Sequence, residues 1–415
     1  MNMRAVIRKF RKQVASSGAA RERSLKIGVT LPRLNFLRAI VLIGLLALPQ
    51  LSHAQSWTWT REDVDIFGKF TAIAVDGEGN IHVAYAGEGG SSLKYAYRAA
   101  GAKKWYSMVL DKQLGDFATN MALDAQGNPR ICYTPRELKY AAWNGQKWTI
   151  QQIAAGTGTV EYNCSVIISP DGTPHVSWYH TRASDNSNFL HLKYATMVDG
   201  VWMAKTVDFD GEDGKWNSLV LDSSGRPQLT YSVFPRGELK YATWNGKEWQ
   251  PQTGITPASA ASAGMGNSLV LNAEGEPEIS FYENVVEYGA ASRGSIKFAQ
   301  RKGAGWDVQT VDSVFQRGSW VGFRSTLLLD KAGFPHICYE DGGALKHAFW
   351  NGTRWHIQLV APRATEPYLY SAMAIDKNDM LYVTYRDPSD GTLKVAIGHS
   401  SAEGTATAQQ QEKKE

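Results

Sequence analysis

The stretch from Asn217 to Trp249, NSLVLDSSGRPQLTYSVFPRGELKYATWNGKEW, carries the pattern that decides the fold. Ser218-Leu219-Val220-Leu221 is a short apolar run closed by Asp222-Ser223-Ser224-Gly225, a turn composition whose glycine is free to take a positive φ. Pro227 opens Gln228-Leu229-Thr230-Tyr231, which alternates polar and apolar with the period of a strand, and proline is tolerated at a strand's first position. Leu239 to Trp244 is rich in β-formers and ends at Asn245-Gly246, the two-residue hairpin signal in which both turn positions take a positive φ. The stretch therefore reads as four strands, a to d in chain order, with Trp249 on d.

The unit recurs seven times. Its a–b turn glycine returns as Gly79, Gly127, Gly172, Gly225, Gly275 and Gly333, with Asp379 in the seventh unit, at spacings of 45 to 58 residues. Four strands at this period, repeated seven times, predict an all-β chain folded as a seven-bladed β-propeller of four-stranded blades; an open solenoid needs shorter, more regular units and a capping repeat. The seventh unit stops after Leu393-Lys394-Val395-Ala396 without a strand d. Elsewhere strand d has Trp followed five and six residues later by an apolar residue and Asp, as in Trp105/Leu110/Asp111, and Trp59/Val64/Asp65 near the other end of the chain matches it. The ring is thus expected to be closed by the mature N-terminal strand, which leaves no unpaired sheet edge at the seam.

Residues 1–54 differ from the rest. A basic stretch is followed by an apolar run from Ala39 to Leu48 and by Ser52-His53-Ala54, the order of a secretory signal peptide cleaved after Ala54. The alternative is an uncleaved membrane anchor, but the run is half the roughly twenty residues that a bilayer span takes. The leader holds ten of the 44 basic and one of the 40 acidic residues, so the remainder carries 34 against 39, a net charge of −5. The basic balance of the whole chain is then an export signal and gives no reason to expect nucleic-acid binding. The expected layout is a signal peptide at 1–54, the propeller at 55–398 and a disordered tail at 399–415, in a secreted or periplasmic monomer that meets a membrane only if the leader stays attached.

Setting the seven units side by side separates scaffold from site. Strand b ends in an aromatic every time (Tyr85, Tyr133, Trp178, Tyr231, Phe281, Tyr339, Tyr385) and strand d carries Trp59, Trp105, Trp148, Trp202, Trp249, Trp306 and Trp355, all expected as packing between blades. Strand c carries a lysine in each unit, expected to lay its stem along the blade with the ammonium at the rim or paired. His82, His175 and His336 share a column with Arg130, Gln228, Glu278 and Tyr382; no ligand set is common, and no metal or other cofactor is expected. Cys132 and Cys338 occupy one small-residue column of strand b and read as buried thiols, while Cys164 begins strand a of the blade after Cys132, which leaves a bridge between those two open.

The pattern D-x-x-G-x-P-H-[IV]-x-[YW], followed by L-K-Y-A-x-W-N-G-x-x-W, resembles the repeats of exported bacterial seven-bladed propellers of the loose sialidase-like (BNR-like) group, over roughly residues 57 to 398. The resemblance implies the fold. Propellers of this kind include lectins and polysaccharide lyases, and the Asp-box of true sialidases, S-x-D-x-G-x-x-W, does not appear in register.

In such a blade the a–b and c–d turns share one face and are tight, while the b–c and d–a connections share the other and are long and unequal, so function is expected on the second face. Strand a begins there with Thr71, Thr119, Cys164, Asn217, Asn267, Ser325 and Ser371, a small, mostly polar ring read either as crowding at the axis or as a polar funnel. The residue before it varies: Phe70, Ala118, Asn163, Trp216, Gly266, Arg324 and Tyr370. Trp216, Asn217, Trp320, Arg324 and Tyr370 are the candidate ligand-binding set, because ring faces stack on sugar C–H groups while Asn and Arg take hydroxyls. The first expectation is a binding propeller for a carbohydrate or a protein partner. The second is a polysaccharide lyase or related enzyme, with Arg324 or Arg386 neutralising a uronate, Tyr179 or His180 moving the proton, and Glu283, Glu340 and Asp341 as further acid/base candidates.

Overall fold

The computed structural model describes residues 55–90, 92–112, 119–135, 137–153, 161–180, 191–209, 212–234, 236–257, 261–285, 293–315, 324–362, 364 and 371–402. They form seven four-stranded antiparallel sheets. The inner strands, Lys69–Val75, Thr119–Leu123, Glu161–Ile168, Glu212–Leu221, Ala261–Leu271, Thr326–Leu329 and Ala372–Ile375, define blades 1 to 7, and each touches the next, the seventh touching the first. The chain is a seven-bladed β-propeller.

Blades 1 to 6 are continuous in sequence. The seventh takes its outer strand from Gln55–Asp65, paired antiparallel with Leu393–Ala402 from Gln55↔Ala402 to Asp65↔Leu393. The last strand runs beyond residue 398, into the segment whose composition suggests a tail, because a facing strand there satisfies its backbone groups. The leader 1–54 and residues 403–415 lie outside the described residues.

The a–b turns behave as their sequences require. All six glycines take φ between +75° and +87°, and Asp379, standing in the seventh turn, takes +60°. The Asn-Gly hairpins differ from expectation. Only the glycines Gly145, Gly246 and Gly352 have positive φ, and Trp143 pairs with Trp148, Trp244 with Trp249 and Trp350 with Trp355. Each loop is therefore four residues long, and the Asn side chain closes it by accepting two backbone N–H bonds, as Asn245 Oδ1 does from Lys247 and Glu248, both at 2.9 Å. A true two-residue turn with both residues left-handed occurs in blade 3, at Asp199-Gly200.

The strand b aromatics are core, and the strand d tryptophans, all but Trp249 half-buried, pack against it. The strand b rings are at most 1% exposed. The strand d tryptophans pack edge-on against the strand c ring of the preceding blade: Trp148 on Tyr95 at 5.0 Å, Trp202 on Tyr140 at 5.2 Å, Trp249 on Tyr194 at 5.1 Å and Trp355 on Phe298 at 5.3 Å.

A second set of contacts joins blades near the axis. The small residue in strand b of one blade meets the first residue of strand a of the next. Thr384 meets Thr71 at 2.9 Å, Ser177 donates to Asn217 Oδ1 at 2.6 Å, Thr230 donates to Asn267 Oδ1 at 2.7 Å and Ser280 meets Ser325 at 2.8 Å. Cys132 and Cys164 hold this same relation and form a disulfide, with their Cα atoms 6.2 Å apart. Cys132 is therefore bridged and not a buried thiol, since the two columns that hold the cysteines face each other at every seam. Cys338 remains a free, buried thiol, and burial pushes it up to about 12. Its counterpart across the seam is Ser371, which is hydrogen-bonded to it. Ser371→Cys is accordingly expected to create a second bridge: a thiol titration of the unfolded, non-reduced variant should find no free thiol, against one in the parent, with a gain of about 0.5–2 kcal/mol in stability. Two titratable thiols would mean that the seams are not equivalent.

Candidate functional site at the mouth of the axis

The residues that begin strand a are all buried, from Thr71 at 0% to Asn267 at 7% exposure. Their polar groups are spent on the scaffold. Asn217 accepts from Ser177 and donates through Nδ2 to the carbonyls of Asn163 and Gly214, both at 3.2 Å. Asn217 thus leaves the ligand-binding set, because both ends of its amide are held inside the protein. The ring reads as a blade-to-blade latch, not an open polar funnel.

In four blades the residue before the latch has an unusual backbone. Phe70, Asn163, Trp216 and Gly266 all take left-handed φ, between +48° and +56°. For Phe and Trp this conformation costs of order 1–3 kcal/mol and needs a reason. The reason is the carbonyl, which the bulge aims at the following blade: Phe70 O accepts from Thr119, Asn163 O from Asn217, Trp216 O from Asn267, and Gly266 O from Ser325 Oγ at 2.8 Å. The strain at Trp216 therefore serves the latch. Its half-buried indole packs on the cluster of Met265, Tyr282 and Leu327 in blades 5 and 6.

Arg324 sits at the same mouth position of blade 6, directly before Ser325, whose N–H donates to Gly266 O at 2.8 Å. It is only half-buried at its surface, yet protein surrounds it closely enough for desolvation to pull its pKa below the ordinary guanidinium value, with no acid offsetting the effect. Solvent still reaches part of the residue. Among the described residues its guanidinium has no hydrogen bond and no ion pair. Around the mouth Trp216, Gly266 and Arg324 are consecutive, and the glycine between the indole and the guanidinium contributes no side chain. Trp320 and Tyr370, the other expected members, lie outside the described residues.

The acid/base candidates are spread around the ring. Tyr179 and His180 end strand b of blade 3, Glu283 belongs to blade 5, Glu340 and Asp341 to blade 6 and Arg386 to blade 7. Tyr179 is 2% exposed, with Lys215 Nζ 5.8 Å from its ring centroid. Glu283 is paired with Lys297 at 3.2 Å, Asp341 with Lys346 at 2.6 Å, and Glu340 Oε1 accepts the N–H of Gly343 at 2.5 Å. The Arg386 guanidinium stacks over Phe67, 5.4 Å from its centroid. Blades 3 and 7 are separated by two blades one way around and three the other, so His180 and Arg386 do not form one pair, whereas Arg324 and Glu340 share a blade.

The remaining conspicuous charges are structural. The aspartate at the end of strand d binds both the tyrosine and the lysine of the following blade: Asp111 takes Tyr133 at 2.8 Å and Lys139 at 2.9 Å, Asp208 takes Tyr231 and Lys240, both at 2.7 Å, and Asp312 takes Tyr339 and Lys346, both at 2.8 Å. Asp65 does the same for Tyr85 and Lys94; burial pushes its carboxyl up, but these bonds outweigh it and hold it below the usual range. The sequence carries part of this signal. Three units end strand d in Ala154, Ile255 or Ala361 instead of Asp; the first two are followed by Trp178 and Phe281, rings without a hydroxyl, and the third by Tyr385. The histidine column is likewise internal: His82 and His175 bond the hydroxyls of Tyr95 at 2.7 Å and Tyr194 at 2.5 Å.

No family model matches the chain, and no curated protein matches it. Among solved structures it is similar to an ulvan lyase bound to -[GlcA(1-4)Rha3S]-, at a TM-score of 0.56 and 13% identity over 81% of this chain and 95% of that one. It is similar to the polysaccharide lyase Uly1, at 0.53 and 10% over 79% and 89%. A lectin of Aleuria aurantia in complex with Fucα1-6GlcNAc matches at 0.48 and 14% over 73% and 98%. At these identities the likeness is one of fold, a β-propeller that has both lectins and polysaccharide lyases among its structural neighbours.

Proposed function

We propose that this protein is an exported carbohydrate-binding propeller of the sialidase-like repeat group, and that its ligand seats on the loop-rich face at the mouth of the axis, with an acidic group against Arg324 and a sugar ring beside Trp216. The observation that carries this reading is a desolvated guanidinium that has no partner among the described residues. An enclosed cation without a counter-ion costs stability, and a ligand carboxylate or sulfate supplies what the fold withholds, with a bidentate geometry suited to both. The ulvan lyase is bound to a saccharide of this chemistry. Export is supported by the leader composition and by the Cys132–Cys164 bridge, since disulfides persist in oxidising compartments.

Arg324→Ala is expected to weaken binding to acidic oligosaccharides at least tenfold on a glycan array followed by calorimetry, while leaving Tm unchanged or raised, because it removes an uncompensated charge. Equal binding by the variant would overturn the reading. The same ligands incubated with the wild type and followed by absorbance of the unsaturated product decide whether binding leads to lyase turnover; its appearance, and its loss in His180→Ala, would replace the binding reading with the enzymatic one.

A further inference from the structure

Two seams at the outer rim depart from the repeat, those of Met108 and Lys205, and the second is charged. Three residues after the strand d tryptophan stand Glu62, Met108, Gln151, Lys205, Gln252, Gln309 and Gln358. The five with an acceptor each take a hydrogen bond from the following blade: Trp105 Nε1 donates to Glu62 at 3.2 Å, Trp202 Nε1 to Gln151 at 3.2 Å, Trp355 Nε1 to Gln309 at 3.3 Å, Arg301 Nη2 to Gln252 at 3.2 Å and Trp57 N to Gln358 at 3.0 Å. In blade 3 the position is Lys205, an ammonium that has nothing to accept with. It lies instead over the Trp244 ring, 4.3 Å from the centroid. Trp249 Nε1, buried, has no partner among the described residues. The seam between blades 3 and 4 opens here into a groove of about 580 Å³ walled by Lys205, Phe209, Trp244, Lys247, Glu248 and Trp249.

We propose that this groove is a second saccharide subsite, for a sugar carrying a carboxylate or a sulfate. The proposal rests on the carbohydrate reading above but not on the mouth, since the groove is built from outer strands and Arg324 lies at the inner ones. Its volume falls in the range of small-ligand pockets, roughly 300–1,000 Å³. Phe209 is 75% exposed, with His191 5.7 Å from its ring at a steep angle, which leaves most of the ring open for stacking on sugar C–H groups, and Trp244 lines the same groove. Lys205 and Lys247 have no acid partner among the described residues and supply two donors for an anionic substituent, while Glu248 accepts from a hydroxyl. The cation–π contact holds the Lys205 ammonium in the groove without neutralising it.

The test is calorimetry on the full chain with oligogalacturonate, a heparin oligosaccharide and a neutral manno-oligosaccharide. The wild type is expected to bind an acidic oligosaccharide at two sites and the neutral one at least tenfold more weakly at the groove; which acidic probe is preferred separates carboxylate from sulfate. Lys205→Gln installs the acceptor that the other seams use, so it should seal the groove without loss of Tm and weaken the outer site at least tenfold. Trp244→Ala should weaken it similarly, and Arg324→Ala should leave it intact. Wild-type stoichiometry and affinity in both Lys205→Gln and Trp244→Ala, equal binding of the neutral probe, or no acidic saccharide bound by the wild type overturns the proposal. Failure of the mouth reading looks different: Arg324→Ala then binds as the wild type does, while Lys205→Gln still loses one site.

Discussion

Asp208→Ala is expected to cost about 3–5 kcal/mol of folding free energy, the range for removing one partner of a buried ion pair. Asp208 and Lys240 have side chains only 7% and 8% exposed, and one carboxylate oxygen takes both the Lys240 ammonium and the Tyr231 hydroxyl at 2.7 Å. Without the carboxylate, the Lys240 ammonium and the Tyr231 hydroxyl each lose a partner at the seam between blades 3 and 4. Asp208→Ala/Tyr231→Phe/Lys240→Met, which removes both polar groups together with the carboxylate, should recover part of the loss. Blade 5 already tolerates part of this exchange, with Phe281 and Ile255 in the corresponding columns and Lys297 taken by Glu283. Urea unfolding of the three proteins checks it, with Asp390→Ala, a partner of Lys394 that is 46% exposed, as the control expected to stay within about 1 kcal/mol. A single variant no worse than that control, or a triple variant no better than the single one, contradicts the account.

The second large effect is on acid stability. Four blades place a tyrosine in the strand c column (Tyr95, Tyr140, Tyr194, Tyr241), but blade 6 places His347 there, fully buried, 2.9 Å from His336 and packed edge-on against Trp57 and Trp59 of the strand that completes blade 7. Asp330 lies 3.6 Å from the far nitrogen of His336. A neutral relay satisfies these groups: His347 Nε2–H donates to His336 Nδ1, and His336 Nε2–H points at Asp330. A proton on His347 Nδ1 would find no acceptor, because that atom is buried without a partner. Burial, and then the neighbouring His336, hold the His347 pKa well below its ordinary value. Since the unfolded chain binds this proton with a pKa of about 6.5, stability is complete above that pH and falls as the pH drops from about 6.5 towards the depressed folded value. His347→Tyr supplies the hydroxyl that His82 and His175 use, and should lose less stability than the wild type between pH 7 and pH 4.5 in urea unfolding at each pH. Parallel losses in the two proteins would show that His347 is not the acid-sensitive group.

Much of the fold was legible because the features that specify it are local and repeated. A left-handed turn position asks for glycine wherever it occurs, and its seven-fold recurrence, including the substitute Asp379, counted the blades. The Asn-Gly hairpins were misjudged in detail because a glycine followed by two further residues, with the Asn side chain closing the loop, satisfies the same composition as a two-residue turn. The site was less legible. Asn217 looked available for a ligand because it is polar at the mouth, and only its seam to Ser177 and Asn163 reveals it as a latch. Trp216 looked distinctive because its side chain does not repeat, but its backbone does, in Phe70, Asn163 and Gly266.

The sequence by itself determined that four strands recur seven times, that their aromatic columns are core, and that the unequal loops share one face. The tertiary structure alone decided what meets across each seam: that Cys132 finds Cys164, that the strand d aspartate, where present, serves the tyrosine and lysine of the next blade, that Arg324 meets no acid among the described residues, and that Lys205 turns onto Trp244. The physical reason is one of range. Turn and strand preferences are settled within a few residues, whereas the partners across a seam are tens of residues apart in the chain, and the stagger of one blade on the next decides which side chains among otherwise equivalent repeats come within bonding distance.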